Sequence, residues 1–346
     1  MIRATKQEVK LFSSSEKTEI VDAIFSHWRN HGFPQYELTK KEQIKEWDLL
    51  QDYDRTGMID PKGHVKQTMH GLSLAWNYFP HHWGISVGNK PTVLDIWNDD
   101  KKFKKAIARR LNRGGLAWDK NGNPHMTVSI IRKALMACSS AQRVSNFRPT
   151  AAASIYDKYS GNGIVWDMSC GFGGRLLGAF TSSKVKLYVG TEPSTLTFNG
   201  LEKLAENFYH IAKTQYELHQ IGSEDFVPSQ EIDLCFTSPP YFDTEKYSDE
   251  TTQSAIKFPT LVEWNNKFLR QTIKNSFSCL KNNGYLILNV AGVKSHPFLV
   301  VDTIRIAQKE GFEWVDTLKL TLSAITKGAF KYEPVLVFQK EAVKHK

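Results

Sequence analysis

Cysteine is scarce in this chain, and the four present, Cys138, Cys170, Cys235 and Cys279, lie far apart with no CxxC pair. That spacing gives neither a disulfide framework nor a thiolate zinc site, and none of the 11 His stands at a Cys/His ligand spacing. No metal is expected, and reduced, buried thiols suit a reducing cytoplasm. Long apolar runs are missing too. Nothing approaches the roughly 20 residues that cross a bilayer, and the opening MIRATKQEVKLFSSS has no apolar h-region. The sequence therefore reads as a soluble cytoplasmic protein with no membrane partner. It has no internal repeat or low-complexity tract, which sets aside solenoid and disordered readings. What remains is a globular composition, 41% hydrophobic and 23% charged over 346 residues. That length suits two domains at about 150 residues each.

Acidic residues are few in the first part of the chain. Residues 1–150 hold 24 Lys and Arg against 15 Asp and Glu, whereas residues 151–346 hold 21 of each, so the first part accounts for the net +9. Clustered cations gain free energy by releasing counterions from phosphate, so this half points to a polyanion. KKFKKAIARRLNRGG (101–115) reads as a helix with Phe103, Ile107 and Leu111 on one face and cations on the others. AWNYFPHHWG (75–84) gathers Trp76, Tyr78, Phe79 and Trp83. Those rings could stack on bases, but aromatic side chains serve burial first, and core is the favoured reading. A basic, mainly helical domain over residues 1–145 is expected.

From residue 146 short apolar runs alternate with helical patterns, the texture of a doubly wound α/β sheet. GIVWD (163–167) is a strand, SCGFGGRLLGAF (169–180) a glycine-rich turn entering a helix, and KLYVGTE (186–192) a second strand with an acidic end. YELHQIGSEDF (216–226) is a third strand ending in Glu224 and Asp225, and EIDLCFTSPPYF (231–242) a fourth running into a double-proline turn. A long helix over 261–281, a strand YLILNV (285–290), a helix over 297–309 and two closing strands complete seven strands. Glycines 171 and 173 let a ligand approach the backbone where a Cβ would collide. Glu192, at the next strand end, is placed to accept from two ribose hydroxyls. A nicotinamide enzyme would show both features, so the fourth strand decides.

There, TSPPY (237–241) directly follows an apolar strand. It resembles the Pro-Pro-Tyr/Phe motif of S-adenosylmethionine-dependent DNA amino-methyltransferases, in the Ser-Pro-Pro-Tyr form common among cytosine-N4 enzymes and present among adenine-N6 enzymes. NFRPTAAASIYDKYSGNGIVWDMSCGFGGR (146–175) is similar to that family's motif X running into motif I, and YEPVLVFQK (332–340) to its last strand. The resemblance covers roughly residues 146–340 and implies a Rossmann-like class I methyltransferase domain over 146–346, with a seven-stranded sheet. It implies a catalytic turn of Ser238, Pro239, Pro240 and Tyr241, and S-adenosyl-L-methionine held by Arg148, Asp167, Ser169, Gly171, Gly173, Glu192, Glu224 and Asp225. Two prolines remove backbone donors, leaving Ser238 Oγ and the Pro239 carbonyl to accept amine hydrogens while Tyr241 stacks on the ring. Asp243, Glu245 and Tyr247, just beyond, either line the base pocket or form an exposed loop.

The motifs run X, I, II, III, IV with no large insert, which leaves target recognition to the basic residues 1–145. The implied partner is DNA, and a cognate nuclease of a restriction–modification pair is compatible with that. Cytosine-C5 chemistry is excluded because the chain has no Pro-Cys pair. Two rivals carry a similar turn: transfer-RNA amino-methyltransferases, whose motif opens with Asp, and protein glutamine methyltransferases, whose motif opens with Asn.

Overall fold

Strand Ile232–Thr237 buries every one of its six residues, the mark of a parallel strand covered on both faces. Around it, in the computed structural model, which describes residues 2–161, 163–326 and 329–341, a mostly parallel sheet assembles. Its strands are β1 (His64–Val65), β2 (Ile164–Asp167), β3 (Leu187–Thr191), β4 (Gln215–His219), β5 (Ile232–Thr237), β6 (Leu280–Asn289), β7 (Phe312–Thr326) and β8 (Ala329–Lys340). The spatial order is β1-β7-β8-β6-β5-β2-β3-β4. β2 pairs parallel with β3 and β5, β3 with β4, and β6 with β5. β8 alone runs antiparallel, to β6 and to β7. This is the Rossmann-like class I methyltransferase sheet, with eight strands where the sequence shows seven. The additional strand is β1, whose two residues pair with Lys319 and Leu320 at the β7 edge and are too short to carry a period. The turn before it is tied by the Asp60 carboxylate, which accepts from the His64 and Lys62 amides at 2.9 Å each.

The chain divides into two compact units, residues 1–36 with 80–144 and residues 37–79 with 145–346. The change of texture at 146 therefore coincides with a real boundary, but residues 37–79, read from sequence as part of the basic half, belong with the sheet. Packing explains it: Trp76 and Phe79 meet Phe172 with ring centroids 5.2 and 5.7 Å apart, and Arg55 pairs with Asp157 at 3.0 Å. With the boundary so drawn, the first unit carries 17 Lys and Arg against 8 Asp and Glu and the sheet unit 28 of each.

The first unit is mainly helical. Helices Lys6–Leu11, Ser14–His31 and Val93–Asn98 each start with a capping box, Thr5/Glu8, Ser13/Glu16 and Thr92/Asp95. Helix Asp100–Leu111 buries Phe103, Ala106, Ile107 and Leu111, as its spacing predicts. Trp83 lies in this core, while Trp76 and Phe79 are buried in the other unit, so the aromatic segment is interior packing.

Two further readings change. The third strand ends at His219, and Glu224 and Asp225 lie beyond it in a 3₁₀ turn, Ser223–Asp225. The long helix over 261–281 is α-helical at Leu261–Glu263 and Arg270–Cys279, with a π-helical segment Trp264–Leu269 between. No helix of the described residues is long and apolar enough to cross a membrane.

Candidate active site

The chain leaves β2 toward β3 and β4 on one side and returns to β5 and β6 on the other. The C-terminal ends of β2 and β5 therefore flank the point where strand order reverses, the place where open α/β sheets hold ligands. A cavity of about 480 Å³ lies there. Its shape is set by Asp167 at the end of β2. That carboxylate is fully buried and accepts from Arg175 Nε, Tyr188 Oη and Thr237 Oγ1 at 2.8 Å each and from the Ser169 amide at 3.3 Å. Four donors fill a carboxylate's lone-pair sites. Asp167 thus pins β2, β3 and β5 together and is not part of the cavity lining, contrary to the cofactor-contact role expected from motif I. Burial alone would depress the Arg175 guanidinium, but the Asp167 charge beside it outweighs this and holds it protonated.

Glu192 sits differently. It follows β3, lines the cavity, and accepts the Gly171 amide on one oxygen and the Ser194 amide on the other, both at 3.0 Å. Each oxygen keeps a lone pair for a ligand. Burial pushes its carboxyl up to about 7, against the pull of the two amides. Gly171 adopts φ +55°, and a Cβ built there would meet nothing closer than 3.9 Å, so it would project into open space beside the cavity it lines. Gly173, with φ +71°, has another reason to be glycine: a Cβ would strike Leu204 at 2.5 Å, so its place is in packing and not in the lining.

Arg148 and Ser169 line the cavity as expected. Glu224 lines it as well, 7% exposed, with one oxygen 2.8 Å from Lys257 Nζ and the other without a partner among the described residues. Asn275 fixes this turn by donating to the carbonyls of Ser223, Glu224 and Phe226 at 2.9, 3.0 and 3.1 Å. Asp225 points elsewhere. It also pairs with Lys257, is half exposed and does not reach the cavity.

Ser238, Pro239, Pro240 and Tyr241 follow β5 and all line the same cavity. Tyr241 Oη lies 3.2 Å from the Asn289 carbonyl, 3.1 Å from Glu333 Oε1 and 3.5 Å from Ser238 Oγ. Burial, reinforced by the Glu333 charge, holds this phenol well above its ordinary range, so it stays a donor. Of the residues just past the turn, Asp243, Glu245 and Tyr247 are all in the lining, with Tyr247 Oη bonded to Glu245. Burial raises both the Glu245 and Glu333 carboxyls.

The sequence analysis singled out neither Arg175, Lys257, Asn289 nor Glu333. Arg175 follows the glycine pair and could have been flagged as a cation entering a helix beside a strand-end acid. Glu333 carries no local signal, because hairpin register alone, Leu320 opposite Glu333, brings it to the cavity. Among the described residues no group of three His, Cys, Asp or Glu is placed to hold a metal ion.

The cavity has what a nucleoside-bearing ligand needs: an open glycine, a carboxylate with spare acceptors for a diol, a second buried carboxylate oxygen without a partner, and a volume within the roughly 300–1,000 Å³ of small-molecule sites.

No protein-family model matches the chain and no curated protein matches its sequence. Solved structures are similar in shape. The magnesium protoporphyrin IX methyltransferase of Synechocystis PCC 6803, with bound SAM, matches at TM-score 0.40 and 15% identity over 56% of this chain and 79% of its own. TrmN from Thermus thermophilus matches at TM-score 0.39 and 15% identity over 56% of this chain and 48% of its own. The N-methyltransferase NodS from Bradyrhizobium japonicum WM9 matches at TM-score 0.40 and 10% identity over 54% of this chain and 92% of its own. The fold assignment rests on the strand order given above and not on these likenesses.

Proposed function

We propose that this protein transfers a methyl group from S-adenosyl-L-methionine to the exocyclic amine of a DNA base, cytosine N4 or adenine N6. The observation that carries the reading is the convergence of the Ser238–Tyr241 turn with Gly171, Glu192 and Glu224 on one cavity at the strand-order reversal. In this reading Glu192 holds a ribose diol, the open face of Gly171 receives the ligand backbone-close, and the unpartnered Glu224 oxygen takes an N–H of the adenine. The cofactor, when bound, supplies an electrophilic methyl. The chain supplies orientation. Ser238 Oγ and the Pro239 carbonyl accept the two amine hydrogens, which turns the nitrogen lone pair out of the ring plane. Tyr241, anchored through its hydroxyl, offers a ring face to the base. The +9 first unit is the surface for the phosphate backbone.

The test is methyl transfer from isotopically labelled S-adenosylmethionine to unmodified genomic DNA, the same DNA made single-stranded, and structured RNA, read by mass spectrometry of the released nucleosides. Label in N4-methylcytosine or N6-methyladenine is the expected result. Label confined to RNA moves the enzyme to the other polyanion, and label in no nucleoside overturns the reading.

A further inference from the structure

The wall of the cavity opposite the glycine loop carries two glutamates on elements far apart in sequence, Glu245 beyond the Ser238–Tyr241 turn and Glu333 on β8. Each is tied to a tyrosine of the same cavity, Glu333 to Tyr241 at 3.1 Å and Glu245 to Tyr247. Neither takes part in an ion pair among the described residues, since the nearby Lys246 is paired to Asp249 at 2.5 Å. Two carboxyls without a countercation in one cavity do not both ionise readily, and such pairs retain a proton. A neutral carboxyl is a donor beside an acceptor.

We propose that Glu333 and Glu245 share one proton and that the neutral carboxyl of Glu333 reads the edge of the base. Its O–H donates to the ring nitrogen next to the methyl-accepting amine, and its carbonyl accepts one hydrogen of that amine. This deepens the function proposed above and rests on it. The edge it selects is a ring acceptor adjacent to an amine, as in cytosine N3/N4 and adenine N1/N6. Guanine and thymine present an N–H donor where Glu333 needs an acceptor, and two donors facing each other are repelled. The pair thus acts as a specificity determinant, leaving the methyl transfer geometry to Ser238 and Pro239.

The groups facing the pair fit this role. Burial raises both carboxyls. The Tyr241 and Asn289 side chains and the Lys331 charge pull Glu333 back, whereas the Glu333 charge pushes Glu245 further up against Tyr247. Glu192 bears on the same region through Tyr247. As pH rises through the shared ionisation the O–H is lost, so recognition of the base weakens with rising pH.

Two measurements test this. Infrared difference spectra of the protein without substrate should show a neutral-carboxyl band that disappears in Glu333→Gln or Glu245→Gln at the same pH. In methyl transfer to unmodified genomic DNA at saturating cofactor, Glu333→Ala should lower kcat/KM on the order of tenfold to a hundredfold, mostly through KM. Glu333→Gln, which keeps a donor beside an acceptor, should restore part of that loss and remove the decline at high pH. Glu245→Gln should move the decline to lower pH. Retained S-adenosylhomocysteine binding by each variant shows that it is folded. The inference is overturned if the carboxyl band survives both substitutions, if Glu333→Gln behaves as Glu333→Ala with the decline intact, or if the methyl group is found on guanine. A wild type that methylates no base overturns the function first and this inference with it, and the infrared result separates the two failures.

Discussion

Asp167 and Glu192 stand at the ends of adjacent strands, and their surroundings put them to opposite uses. Asp167 is saturated by four donors, so it binds no ligand and acts as a rivet. Replacing Arg175 by Met would leave that carboxylate buried with its charge uncompensated, and a loss of about 3–5 kcal/mol in urea unfolding is expected. Glu192 keeps spare acceptors. Glu192→Gln should weaken S-adenosylhomocysteine by about 1–3 kcal/mol in calorimetry. In the wild type, affinity should rise with pH as the carboxyl ionises around 7, and Glu192→Gln should abolish that dependence. The same group bears on stability with the opposite sense. Its folded value of about 7 lies above the ordinary 4.5, so between the two the folded state holds a proton the unfolded state has lost. Stability therefore falls as pH rises through that window, by roughly 3 kcal/mol from this group. From sequence the two acids look alike, each an acidic residue closing an apolar strand. What separates them is Tyr188, Thr237 and Arg175 converging from three elements, which no local pattern reveals.

At the scale of elements, the strand–turn–helix from Ile164 to Thr181 carries the argument, because its glycines serve different ends. A Cβ on Gly174 would lie 1.9 Å from the Phe147 carbonyl oxygen and 2.5 Å from Asn146 Oδ1, where backbone must move. Gly174→Ala is expected to cost on the order of 3 kcal/mol or more, read in thermal or urea unfolding. Gly171→Ala, with open space around its Cβ, should cost only about 1–2 kcal/mol for the left-handed backbone, yet abolish cofactor binding by filling the place of the ligand. If Gly171→Ala bound S-adenosylhomocysteine as tightly as wild type, the cofactor would not pass this loop. Runs such as IDLCFT and LYVGT were legible because a strand buried on both faces is continuously apolar and glycines punctuate it. β1 was not, since two residues have no period. Nor was the π-helical Trp264–Leu269, where Trp264 is buried and bonds Ser254 at 3.1 Å, a tertiary contact that the helical pattern does not encode. The catalytic turn was legible through its prolines, whereas Glu333 waits on the β7–β8 register.

On the scale of the whole molecule, charge is partitioned by unit: the sheet unit is neutral by composition, and the first unit holds the entire +9 in 101 residues. If that unit binds the phosphate backbone, affinity must fall linearly in log salt, with a slope near −0.9 per phosphate neutralised on duplex DNA. Cations differ in how free they are to contribute. On helix Asp100–Leu111, Lys102 is paired with Asp99 at 3.0 Å, Lys104 with Asp22 at 2.8 Å, and Arg109 donates to the Cys138 carbonyl at 3.3 Å. Lys101 and Lys105 are exposed and enter none of the ion pairs among the described residues. The even basic face expected from the sequence is therefore two free lysines among several committed ones. Lys101→Ala with Lys105→Ala should flatten the salt slope by roughly one to two phosphates and weaken all sequences alike. Lys104→Ala should change the slope less, because removing it also frees the Asp22 carboxylate and deprives the Phe25 ring of its cation, 4.7 Å from the centroid. Fluorescence anisotropy on one duplex across a salt series reads both. An unchanged slope in the Lys101/Lys105 variant would place the phosphate contacts on other cations.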